Sequence, residues 1–141
     1  MFASESEIES LALGMINCTL PKARWTHAAH FASALWLLRN PDHNPFKEMP
    51  DMIRRYNESV GGVNTDREGY HETITQASLC AAQNCLTGAP IDAKLPGVLD
   101  DLMRSKFGQT KWLLEYWTED VLFSPAARRA WVDPDIQSLP F

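Results

Sequence analysis

His27-Ala28-Ala29-His30-Phe31-Ala32-Ser33-Ala34-Leu35-Trp36-Leu37-Leu38 is the stretch that decides the fold, because between Ala28 and Leu38 only His30 and Ser33 are polar. A helix that is apolar nearly all round must be enclosed by other elements rather than laid on a surface. A helical bundle assembled around this segment is therefore expected. Pro21 lies upstream and suits the first turn of a helix, where its missing N–H is no loss, so the central helix is expected to run from Pro21 to about Asn40.

Working outward, residues 4 to 17 place Ile8, Leu11, Ala12, Met15 and Ile16 at helical spacing, and Ser4 with Glu7 has the spacing of a capping box. On the other side, Asn40-Pro41-Asp42-His43-Asn44-Pro45 has loop chemistry, with His43 expected in solvent. Phe46, Met49, Ile53, Tyr56 and Val60 mark a third helix that ends at Gly61-Gly62, and Pro50 is expected to delay its regular start. Thr65 or Asp66 is expected to cap a fourth helix that turns Tyr70, Ile74, Ala77, Ala81 and Cys85 inward and closes at Gly88.

A fifth helix carries Val98, Leu99, Leu102, Met103 and Phe107 up to Gly108. A short sixth, capped by Thr110, carries Trp112, Leu113, Tyr116 and Trp117. A last one runs from Ser124-Pro125 to Trp131. Beyond it lies an extended tail, expected to pack on the bundle through Trp131, Ile136, Leu139 and Phe141. No stretch alternates as a strand would. The fold class is all-α: a compact bundle of about four core helices plus short C-terminal helices, as a single domain over residues 1–141.

Composition narrows the function classes. Thirteen Lys and Arg face eighteen Asp and Glu, and the basic residues are scattered rather than striped, which argues against nucleic acid as a partner. Cys18, Cys80 and Cys85 form no CxxC pair, so reduced thiols are expected rather than a disulfide framework or a zinc ribbon. The acidic N-terminus lacks the basic flank and apolar core of a signal peptide, and no apolar run has membrane-spanning length. The expected address is cytoplasmic, with no membrane partner.

The chemistry-bearing residues gather in two places. His27 and His30 are three apart, which on a helix sets both imidazoles on one face with Cβ atoms about 5–6 Å apart. A third imidazole from a facing helix would complete a bundle metal site, and His71 in Gly69-Tyr70-His71-Glu72-Thr73-Ile74-Thr75 is the candidate. His27, His30 and His71 are thus the candidate metal ligands. Three nitrogen ligands with an open position suit a divalent transition metal such as zinc, copper, nickel or ferrous iron. Tyr70 and Glu72 are the candidate catalytic donor and base. Tyr56, Asn57, Asn64 and Thr65, which flank Gly61-Gly62, are the candidate ligand-binding residues, since glycine-bounded polar loops often present groups to a ligand. The bland alternatives are core histidines satisfied by local partners and a capped loop that serves only itself.

The combination of Trp25-Thr26-His27-Ala28-Ala29-His30, Tyr56-Asn57-Glu58, Asn64-Thr65, Gly69-Tyr70-His71-Glu72-Thr73-Ile74-Thr75 and the C-terminal block from Leu122-Phe123-Ser124-Pro125 to Trp131-Val132-Asp133-Pro134-Asp135 resembles an uncharacterised family of small bacterial helical proteins. The resemblance implies a protein built around the histidine and YHET segments, and brings no activity with it. Two function classes are expected to compete. One is a metal-dependent enzyme acting on a small molecule in a pocket lined by His27, His30, Tyr70 and His71. The other is a protein that binds a small polar ligand without turning it over, or a structural, homodimer-forming protein with core histidines.

Overall fold

The computed structural model describes residues 2–141, in which seven α-helices and three 3-10 turns enclose one core. The helices are α1 (Glu5–Ile16), α2 (His27–Arg39), α3 (Pro45–Ser59), α4 (Glu72–Gly88), α5 (Leu95–Arg104), α6 (Glu119–Leu122) and α7 (Pro125–Arg129). As its composition demands, α2 is the hub, packed against α1, α3, α4 and α5. Phe31, Leu35 and Leu37 of α2 are buried together with Ile8 and Met15 of α1, Leu79 of α4 and Leu99 of α5. None of the helices among the described residues is long and apolar enough to cross a membrane.

Local chemistry explains each helix start, and in several places shifts it from the expected position. The Ser4 hydroxyl caps α1 by accepting from Glu7 N at 3.2 Å, and the Glu7 carboxylate reaches back to Ala3 N, so the capping box is made nearly as read. Pro21 does not open α2. It leads into a 3-10 turn at Lys22–Arg24, and the helix begins at His27 because the Thr26 hydroxyl accepts from Ala29 N at 3.2 Å. His27 and His30 therefore lie in the first turn of α2.

Pro50 does not delay α3 either; the helix starts at Pro45 and passes through Pro50. A proline there leaves the carbonyl four residues back without its helical donor. Phe46 O is that carbonyl, and the Gln76 side-chain amide of α4 donates to it at 3.0 Å. His43, expected in solvent, is half-buried, with its Nδ1 3.0 Å from Glu48 Oε1.

The largest departure is at α4. Thr65 caps only a local turn, accepting from Arg67 N and Glu68 N at 3.2 Å, and Asp66 pairs with Arg129. His71 itself caps α4, its Nδ1 accepting from Ile74 N at 3.1 Å. Tyr70 and His71 thus precede the helix. Before them Gly69 has φ +80°, and a Cβ there would meet Val63 O at 2.1 Å, so only glycine fits.

Towards the C-terminus, α5 starts earlier than its apolar stripe suggests, with Pro96 in its first turn, and gives way to a 3-10 turn at Lys106–Gly108. Trp112, Leu113, Tyr116 and Trp117 are buried as expected, but the first two lie on a 3-10 turn at Trp112–Glu115 and the other two follow it. The tail does pack on the bundle, though mainly through hydrogen bonds. Trp117 Nε1 donates to Val132 O at 2.9 Å, Ile136 N to Tyr116 O at 2.9 Å and Thr118 N to Asp135 Oδ1 at 2.8 Å. Of the four expected apolar anchors, Leu139 is half-buried and packed on the core while Trp131, Ile136 and Phe141 stay exposed.

Candidate functional site

The three histidines do not share a centre. His71 accepts from Ile74 N through Nδ1, which makes its Nε2 the protonated nitrogen, and that N–H donates to Leu122 O at 2.7 Å. Both nitrogens are committed, and no lone pair is left for a metal. Burial, followed by the nearby Arg128 charge, holds the His71 imidazole below its usual pKa, against the pull of the Leu122 carbonyl. His27 Nε2 donates to Phe107 O at 2.9 Å, and His30 Nδ1 donates to Thr26 O at 2.7 Å. The expected His27, His30 and His71 metal site is corrected accordingly: among the described residues no group of three or more His, Cys, Asp or Glu is placed to hold a metal ion. The physical reason lies in the α4 cap, which needs an acceptor and takes it from His71.

Tyr70 and Glu72 do meet, the phenol donating to Glu72 Oε1. Tyr70 is buried, and the Arg54 guanidinium lies 4.4 Å from its ring centroid. Burial first, and the bond to Glu72 second, push the phenol's pKa well above its usual value. A hydroxyl held in this way keeps its proton, so the pair suits a structural tie better than general acid catalysis.

The expected ligand-binding loop mostly binds itself. Tyr56 is fully buried and donates to Leu20 O at 2.8 Å, which ties α3 to the loop after α1. Asn64 Oδ1 accepts from Tyr70 N at 3.0 Å and from Asn57 Nδ2 at 3.1 Å, and Asn64 Nδ2 donates to Arg54 O at 3.1 Å. Thr65 is spent on its turn. Of the four, Asn57 lines the second of the cavities described next.

Space for a ligand lies in two cavities that meet at α2, the second walled in part by Gly62, Val63 and Gly69 of this loop. The first, about 380 Å³, is walled by α2, α3 and α4 and closed by residues 110–114 with Leu122 and Phe123. Phe31, Ala34, Met49, Ile53, Ile74 and Leu79 make it largely apolar. His27, His30, Thr75, Ser78, Thr110 and Lys111 are its polar points. The second, about 450 Å³ and more open, is lined by Lys22, Trp25, Asn57, Glu68, Tyr70, His71 and Arg128. His30, Ile53, Ile74 and Thr75 belong to both walls.

His30 is the residue best placed to address a ligand. Its ring stacks on Trp25, with centroids 3.9 Å apart, and burial lowers its pKa, the Thr26 carbonyl opposing this and His27 adding to it. The neutral ring keeps Nδ1–H on Thr26, so Nε2 remains an acceptor. The expected quartet is therefore divided: His27 and His30 line the first cavity, and His30, Tyr70 and His71 the second. Sequence reasoning missed Thr75, Ser78, Lys111 and Arg128. A signal existed for Ser78, a hydroxyl on the arc of α4 that also bears Ile74, but none for residues 110–114 and 122–123, which arrive by tertiary folding. Comparison of the chain with family models, with curated proteins and with solved structures finds no match.

Proposed function

We propose that this protein binds a compact, largely apolar small molecule in the first cavity, held at its polar end by His27 and His30. The supporting observation is the cavity itself, a partly open cleft of about 380 Å³ beside α2. Ligand sites are typically apolar clefts with a few convergent polar groups, which is the make-up of this one. The reading favours binding over metal-dependent catalysis, since His27, His30 and His71 bond three separate backbone carbonyls and converge on no common centre. A cytoplasmic address goes with it, supported by three free thiols.

The test uses 1-octanol as probe. A ligand that binds only the folded state raises stability by about 2.7 kcal/mol at a hundred times its Kd. For the natural sequence a rise in Tm is expected that grows with the logarithm of octanol concentration above its Kd. Ser78→Leu and Ala34→Leu, which place methyl groups in the cavity, should each remove it. A melting curve indifferent to octanol, or a rise unaffected by both filling substitutions, would overturn the reading.

A further inference from the structure

The second cavity bears on what kind of molecule the first one takes. Its charged lining is Lys22 and Arg128 against Glu68, so a chain with net charge −5 shows a positive balance at this point. Arg128 is the unusual member. Its Nη1 donates to Gly69 O at 2.9 Å and to Tyr70 O at 3.3 Å, which fixes the guanidinium against the backbone ahead of α4. Its Nε is buried and has no hydrogen-bond partner. The carbonyls that hold Nη1 are neutral, and a guanidinium fixed in this way is a ready partner for a carboxylate. Trp25 and Tyr70 flank the same space.

The two cavities adjoin at His30, Ile53, Ile74 and Thr75, which lie in the wall of each, and one is apolar where the other is charged. Resting on the ligand-binding reading above, we propose that the ligand is an amphipathic carboxylate, with its apolar body in the first cavity and its carboxylate at Arg128 in the second. The neighbours of the carboxylate are Lys22 on the rim, Arg128 within, and the Asn57 side chain, with His30 at the waist between the two spaces. Glu68 opposes the anion from the rim and sets a preference for a single negative charge over a dianion.

The experiment compares sodium octanoate with 1-octanol at a pH of about 8, where octanoate is ionised. Octanoate is expected to bind about tenfold more tightly than octanol, a difference of about 1.4 kcal/mol. Arg128→Gln should erase that preference and leave octanol binding unchanged. Lys22→Gln, at an exposed position that folding does not need, should weaken octanoate about twofold and make its affinity less sensitive to salt. If octanol binds and octanoate binds no better, or if Arg128→Gln weakens both alike, the carboxylate assignment falls and the apolar cavity stands. If neither binds, the cavity reading falls and takes the assignment with it. Should Arg128→Gln fail to fold, the Lys22→Gln result and the acid–alcohol ratio of the natural protein decide.

Discussion

At the scale of residues, His71 shows how one side chain is diverted from chemistry to architecture. From sequence alone, a pocket imidazole near a helix start reads as removable at little cost to stability. The structure reverses that expectation, because His71 caps α4 through Ile74 N and satisfies Leu122 O from a neighbouring helix. His71→Ala removes a cap and strands a buried carbonyl, and should destabilise by on the order of 2–3 kcal/mol in chemical denaturation. The same residue gives the fold a pH dependence. His71 and His30 have pKa values pushed below the unfolded value of about 6.5, so the unfolded chain binds more protons as pH falls through that value. Their contribution is complete above about pH 6.5 and is lost as pH drops toward the folded values. The Tm should therefore decline between about pH 7.5 and 5.5. His71→Asn, which can still cap α4 but cannot ionise, should flatten that decline; an unchanged slope would mean that His71 is not held neutral.

Elements were legible where a single periodicity or cap governs them, and misread where two elements share a group. The apolar run of α2, the Ser4 cap of α1 and the Ser124-Pro125 start of α7 depend on neighbours in sequence, and all three form as read. The starts of α3 and α4 depend on partners that are distant or unforeseen. Pro50 looked like a helix boundary because its effect on Phe46 O is local, whereas the remedy comes from Gln76 on another helix. Candidate site residues failed for a related reason: a polar side chain in a loop advertises hydrogen-bonding capacity, and only the fold shows that Asn64, Thr65 and Tyr56 spend it on backbone. The Pro50–Gln76 arrangement predicts a coupled pair. Gln76→Leu leaves Phe46 O without a donor and should cost about 1–3 kcal/mol. Pro50→Ala supplies the missing N–H from within α3, so in that background the Gln76→Leu penalty should shrink to a few tenths of a kcal/mol, as measured in a double-mutant cycle. Additive losses would show that Gln76 stabilises α3 by packing alone.

For the molecule as a whole, the question is why a bundle with so apolar a central helix leaves a cavity beside it. α2 buries Leu35 and Leu37 completely, on arcs to either side of the face at His27, His30, Phe31 and Ala34 that lines the first cavity. The filled arcs and the cavity face should respond in opposite ways to a change in volume. Leu35→Ala opens a void in the filled half and should cost about 2–5 kcal/mol. Ser78→Leu adds carbon to the open half, replacing a hydroxyl in an apolar wall, and should raise stability by about 0.5–2 kcal/mol, because sites kept for a ligand are usually not packed for stability. The two values come from one set of denaturant titrations with the midpoint and slope fitted together, so that a change in compactness is not mistaken for a change in stability. If Ser78→Leu destabilises as a crowded core position would, the space beside α2 already closes in solution, and the protein has no preformed room for a ligand there.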